Sequence, residues 1–244
     1  MLVGASTDVG KIREINQDAY YCSDVEEFPL FIIADGMGGH NAGEVASAIA
    51  VDSVKQIFNS KKNIFKNGET EVSKFIKLAL IEANTKIYNK AKEIEDCKGM
   101  GTTITLAYIL DNHIHIGHIG DSRAYLLTDG ELIQLTQDHS LVAELVRNGS
   151  ISEEEAENHP QKNIITRALG TDENIEVDII TREVKENDKI LLCTDGLTNM
   201  VCDEKIKEVL VNTDDLQNAS DTLVNIANES GGYDNTTVIL IGID

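Results

Sequence analysis

The chain reads as an α+β protein in which helices pack on antiparallel sheets, and three observations lead to that class. Short apolar runs rich in β-branched residues recur through the 244 residues. Consecutive runs are joined by turn signals too short for anything but an antiparallel return. Helical periodicity is confined to two blocks, one before the central hairpins and one near the C-terminus, rather than alternating with strands as a βαβ winding requires.

Phe31 to Ala34 is the first clear strand, and Gly43 to Phe58 is a helix candidate behind it. From Val72 onward, Phe75, Ile76, Ala79, Ala83, Ile87 and Ala91 fall at three- and four-residue steps, which predicts a long helix with one apolar stripe. Thr102 to Leu110 and His113 to Ile119 flank Asp111-Asn112, and Ala124 to Leu127 runs into Thr128-Asp129-Gly130; both junctions are hairpin signals. Between Ser140 and Thr166 the pattern changes to two short helical pieces, with Ser152-Glu153-Glu154-Glu155 as a capping box. This polar insertion reads equally as a surface flap beside a site or as a plain connector. Ile190 to Cys193 and Thr237 to Ile241 are the last two strands. Between them Leu216, Ala219, Leu223, Ile226 and Ala227 form a second helical stripe behind the capping candidates Thr213 and Asp214.

Only 2 prolines, no Ser/Gly tract and no charged tail interrupt the chain, so a single domain over residues 1–244 is expected. Its 42 acidic and 21 basic residues give a formal charge of -21, a field that repels phosphate backbones and anionic lipid. Neither a nucleic acid nor a membrane is expected as partner, and any phosphate chemistry needs local positive charge from a metal ion or an arginine. The first twenty residues are too charged for a signal peptide, and Cys22, Cys97, Cys193 and Cys202 lack both paired spacing and the density of a disulfide scaffold. A cytoplasmic protein with reduced thiols is the expectation.

Five acids far apart in the chain sit at strand ends or tight turns: Asp18, Asp35, Asp121, Asp195 and Asp234. Asp35 opens Asp35-Gly36-Met37-Gly38-Gly39-His40 directly after an apolar strand, where the glycines let backbone groups approach a ligand. Asn41 stands where a dinucleotide fingerprint needs its third glycine. Thr194-Asp195-Gly196 repeats the design, Gly120-Asp121-Ser122-Arg123 lies between two strands, and Asp234 precedes the last strand. Carboxylates gathered at one edge of a β-core repel one another unless cations join them, and all-oxygen ligands suit Mg²⁺ or Mn²⁺. Arg13, five residues before Asp18, offers a planar fork for phosphate oxygens.

In this order the segments resemble the metal-dependent Ser/Thr protein phosphatases of type 2C, in particular their compact bacterial members. The matching segments are Arg13 to Asp18, Asp35 to His40, Gly101-Thr102-Thr103, Gly120 to Arg123, Ile165 to Gly170, Thr194 to Gly196 and Gly232 to Thr237, which span nearly the whole chain. The resemblance implies an α/β/β/α sandwich, two antiparallel sheets between helical layers, with metals at one edge. It implies that Asp35 bridges two Mn²⁺ or Mg²⁺ ions, that the Gly36 carbonyl binds one, that Asp195 and Asp234 complete the first, and that Asp18 holds the second through water. Asp121 and Asp195 match a third-metal position beside the flap. It further implies that a water shared by two cations attacks phosphorus while Arg13 clamps the phosphate. The implied substrates are phosphoserine and phosphothreonine proteins made by a cognate kinase, and the implied state is a monomer.

Where eukaryotic relatives carry Glu and His, this chain has Gln17 and Met37, so His40 or a metal-bound water is left as source of the leaving-group proton. A metal-dependent phosphodiesterase and an inactive phosphoprotein-binding module are the alternatives. Asp138-His139-Ser140 is read as a helix-capping turn, Cys193 as a buried thiol, and His113, His115 and His118 as a polar strand surface.

Overall fold

The computed structural model describes residues 1–23, 28–38, 42–60 and 72–244. One sheet has the order β1 (Leu2–Asp8), β11 (Thr236–Gly242), β10 (Lys189–Cys193), β7 (Arg123–Thr128), β8 (Glu131–Gln134). The other has the order β2 (Asp18–Cys22), β3 (Leu30–Met37), β5 (Ile104–Leu110), β6 (His113–Ile119), β9 (Asp178–Glu183), with β4 (Gly101–Thr102) attached to the end of β3. Every pairing is antiparallel.

The two-residue alternation of a strand sorts the core into layers. Along β3, Phe31 and Ile33 join Ile239 and Ile241 of β11 in a cluster between the sheets. Leu30, Ile32 and Ala34 point the other way, into a cluster with Ala46, Val54, Ile76 and Leu80 of the helices Gly43–Ser60 and Val72–Glu93. In β11, Val238 and Leu240 face Ile206, Leu210 and Leu223 of the helices Asp203–Asn212 and Leu216–Glu229. The result is a four-layered α/β/β/α sandwich. Its central strands are buried on both faces, which is why they read as unbroken apolar runs; each such Ile, Leu or Phe contributes about 1.5–3 kcal/mol by leaving water. Phe58 closes the first helical layer, its ring centroid 5.0 Å from that of Phe75 and 5.7 Å from that of Tyr108.

Three strands, β1, β2 and β9, are absent from the sequence-based expectation, and all three are sheet edges. An edge strand carries polar residues on its open side, as in Asp18-Ala19-Tyr20-Tyr21-Cys22, so the apolar signal is diluted. The helix Asp203–Asn212 was also not expected; its stripe of Ile206, Val209 and Leu210 is too short to stand out. The second helical block is capped by Asp215, which accepts from Asn218 N–H, rather than by Thr213 or Asp214. His118 corrects the reading of a polar strand surface: His113 is exposed, but the opposite face of β6 lies inward at its end and His118 is fully buried.

The antiparallel topology brings together the ends of β1, β3, β6 and β10 and the starts of β2, β7 and β11. All five singled-out acids belong to this end of the sandwich.

Candidate active site

Asp18 and Asp35 face each other in the β2–β3 register. The backbone of Asp35 is locked by the Gly101-Thr102-Thr103 segment. Its N–H donates to Thr103 Oγ1 at 2.9 Å, and its carbonyl accepts from Thr103 N–H at 2.9 Å and Thr102 Oγ1 at 2.8 Å. Thr103 Oγ1 also lies 2.9 Å from Ser122 Oγ, which couples the Asp35 strand to the turn carrying Asp121. Gly36 belongs to β3, and a Cβ there would meet the Gly43 carbonyl oxygen at 2.1 Å, so only glycine permits this approach of the Gly43–Ser60 helix.

Asp18 ties the two sheets together. Its Oδ2 accepts from Thr194 Oγ1 at 2.9 Å and from Thr237 Oγ1 at 2.6 Å, both on the opposite sheet's side. Asp195 starts the short helix Asp195–Thr198 rather than a plain turn, and its Oδ2 accepts from Asn199 Nδ2 at 3.0 Å. Asp234 accepts from Arg13 at 2.8 Å through Oδ2 and from the Asn235 N–H at 2.9 Å through Oδ1. Arg13 is thereby aimed at the cluster, and its pKa is raised first by the hydrogen bond to Asp234 and further by the charges of Asp234, Asp35 and Asp195.

Burial and mutual repulsion dominate the electrostatics. Desolvation, with the charge of Asp195 adding to it, pushes Asp18 up to about 7 and Asp121 up to about 8. Desolvation also holds Asp35 well above the usual carboxylate range, with the charges of Asp18, Asp195 and Asp121 acting in the same direction. Asp195 is raised by desolvation and by Asp234. The interaction between these two carboxyls acts on them in opposite directions, raising Asp35 further and lowering Asp195.

Asp18 Oδ1, Asp121 Oδ1 and Asp195 Oδ1 are buried with no hydrogen-bond partner among the described residues. Such oxygens are costly unless a cation or a donor meets them, and their chemistry fits a hard divalent ion. Among the described residues no group of three acidic, imidazole or thiol side chains is placed to hold a metal ion by itself. The five acids are near enough to feel one another's charge without converging on one point.

The turn before Asp121 is anchored by His139, which sequence reasoning passed over as part of a capping turn. Gly120 N–H donates to His139 Nδ1 at 3.1 Å, and His139 N–H donates to the Gly120 carbonyl at 2.8 Å. Ser140 does cap the following helix Leu141–Arg147, accepting from Ala143 N–H. The capping box at Ser152 is present at the helix Glu153–Glu157. A cleft of about 970 Å³ lies between this segment and the stretch after Asp195, reaching Asp121 and Asp195. Arg123 is not a free cation: it pairs with Asp138, with Nη2 to Oδ2 at 2.8 Å. Cys193 is fully buried, and burial pushes its thiol up to about 12. His40 lies outside the described residues.

Thr103, Thr194, Thr237 and Asn235 support the acids; the sequence places them inside the matching segments but gives them no role. The available signal was a buried polar residue at the end of an apolar run, as Thr194 is after Ile190 to Cys193.

A sequence model of the protein phosphatase 2C family matches residues 11–236. The chain belongs to that family. The serine/threonine phosphatase stp of Listeria monocytogenes is 41% identical to this phosphatase over 239 residues, covering 98% of this chain and 94% of the relative. The crystal structure of the Mycobacterium tuberculosis serine/threonine phosphatase PstP superposes with a TM-score of 0.90 at 35% identity, covering 100% of this chain and 98% of that one. The catalytic domain of PstP in complex with two manganese ions superposes with a TM-score of 0.86 at 34% identity, covering 98% of this chain and 96% of that one. This chain is thus a serine/threonine protein phosphatase, a hydrolase of the 2C family. No described helix is long and apolar enough to cross a membrane.

Proposed function

We propose that the phosphatase is metal-dependent, taking Mn²⁺ or Mg²⁺ at the acid cluster, and that it hydrolyses phosphoserine and phosphothreonine by direct attack of water without a phosphoenzyme. The three unpartnered carboxylate oxygens on Asp18, Asp121 and Asp195 carry this reading. Arg13 alone cannot neutralise five neighbouring acids, and a donor set of oxygens only favours hard divalent cations. Asp35, the Gly36 carbonyl, Asp195 and Asp234 would hold two core ions, with Asp18 acting on the second through water and Asp121 joining Asp195 for a third. When bound, the ions offset phosphoryl charge and lower the pKa of water enough for attack at neutral pH.

The chain's own residues do the rest. Thr102 and Thr103 fix the backbone of Asp35, so its carboxyl is presented from a rigid strand rather than a loop. Thr194 and Thr237 hold one oxygen of Asp18 and leave the other free for the centre. Arg13, half-exposed and fixed at one nitrogen by Asp234, keeps donors for the phosphate oxygens and stabilises the charge that builds on them in transfer.

Calorimetric titration of Mn²⁺ into chelator-stripped protein tests the reading. At least two equivalents are expected for the wild type and a reduced number for Asp195→Asn, whereas no heat of binding in the wild type would end it. Arg13→Ala is expected to lower kcat/KM for a phosphothreonine peptide by roughly 10–10²-fold and to weaken inhibition by inorganic phosphate. Unchanged phosphate inhibition would remove Arg13 from the clamp.

A further inference from the structure

We propose that Asn235 is a positioning residue that sets the reach of the Arg13 clamp by holding the 9–17 loop against the 231–235 loop; this rests on the reading of Arg13 as the phosphate-binding residue. The 9–17 segment contains no helix or strand. Arg13 is half-exposed at its side chain and Ile12 more so, so packing does little to fix the loop's tip. Its shape must come from hydrogen bonds.

Asn235 supplies three of them from a single side chain that is only 4% exposed. Its Nδ2 donates to the Val9 carbonyl at 2.9 Å and to the Ile15 carbonyl at 3.0 Å, closing the loop across its base. Its Oδ1 accepts from the Gln17 N–H at 2.8 Å. Gln17 in turn is bound to the rigid frame, its carbonyl accepting from Gly36 N–H at 3.1 Å and from Ser47 Oγ at 2.6 Å. An amide is the side chain that meets two carbonyls and one N–H at once, and here both Nδ2 hydrogens and Oδ1 are used.

The consequence follows from chain connectivity. Asn235 is the neighbour of Asp234, which binds Arg13, so its three bonds hold the loop that carries the guanidinium against the loop that carries its carboxylate partner. One further bond crosses the same seam: Lys11 N–H donates to the Gly232 carbonyl at 2.7 Å. At Gly10, with φ of +81°, a Cβ would meet the Asp234 carbonyl oxygen at 2.5 Å. The seam therefore has no room for a side chain, and Gly10→Ala is a way to wedge it open without touching Asn235.

The test is a double-mutant cycle read by inhibition with inorganic phosphate and by kcat/KM for a phosphothreonine peptide, in the Mn²⁺-loaded enzyme below the melting midpoint of every variant. Asn235→Ala is expected to weaken phosphate inhibition by roughly 10-fold and to add less than about 3-fold when combined with Arg13→Ala, because both act through one contact. Gly10→Ala is expected to reproduce the loss and the same non-additivity, and it decides the matter if Asn235→Ala does not yield folded protein. Losses that multiply in the double variants would assign Asn235 and Gly10 a general stabilising role and overturn the proposal. Unchanged phosphate inhibition in Asn235→Ala and Gly10→Ala, with Arg13→Ala impaired, would overturn it as well. Unchanged inhibition in Arg13→Ala itself would instead remove the reading on which it rests.

Discussion

Asp35→Asn is expected to reduce turnover of a phosphothreonine peptide by about 10³-fold or more while raising the melting temperature of the metal-free protein. The two effects have one cause. In the metal-free protein the Asp35 carboxyl is desolvated among Asp18, Asp195 and Asp121, which raises its pKa well above the ordinary range and makes a charge there costly. An amide of the same shape removes that cost, so the metal-free fold gains stability. The same amide cannot neutralise divalent ions, so the gain from adding Mn²⁺ falls. For the wild type that gain is about 2.7 kcal/mol at a hundredfold excess of ion over its dissociation constant. Thermal melts of both proteins, with chelator and with Mn²⁺, check this. A variant less stable than wild type in chelator and equally stabilised by Mn²⁺ would show that Asp35 serves the fold and not the ions.

A second large effect is expected in the pH dependence of stability. Asp18 is held at about 7 and Asp121 at about 8, against an ordinary value of 3.8, so between those limits the folded chain keeps protons that the unfolded chain has released. Stability is then favoured at low pH and falls as pH rises through the folded values, by about 1.4 kcal/mol per pH unit for each extra proton held. With chelator present, the contribution of these groups lowers the melting temperature from pH 5 to pH 8. Saturating Mn²⁺ reverses the slope, because the ions bind the ionised carboxylates and their affinity rises as protons leave. Melting temperatures that follow the same pH curve with and without Mn²⁺ would contradict this picture.

What the sequence disclosed follows from where each residue sits. The central strands β3, β5, β6, β7, β10 and β11 are buried on both sides, and their apolar runs were visible; the edges β1, β2 and β9 were not, because half of each faces outward. The sandwich itself came only from family resemblance, since no local pattern says which face of β3 meets a helix and which meets the other sheet. Asp35, Asp121, Asp195 and Asp234 were legible because each borders an apolar run, whereas Asp18, at the head of the unread strand β2, stood out by its spacing from Arg13 and by the family resemblance. Their supports were not. Thr103, Thr194 and Thr237 look like ordinary strand residues until pairing brings Thr103 to Asp35 and the other two to Asp18. His118 was misjudged for the same reason: its burial depends on Thr105 and on the Gln137 carbonyl, which a neighbouring strand and a distant loop deliver.

The central claim is that oxygen atoms left unpartnered on Asp18, Asp121 and Asp195 are completed by divalent cations, and that hydrolysis depends on it. Phosphate release from a phosphothreonine peptide, measured on protein stripped by chelator and then titrated with Mn²⁺, tests it most directly. The expected result is negligible release without ions and recovery that saturates with added Mn²⁺. Full activity in the stripped protein, unaffected by Mn²⁺, would contradict the account.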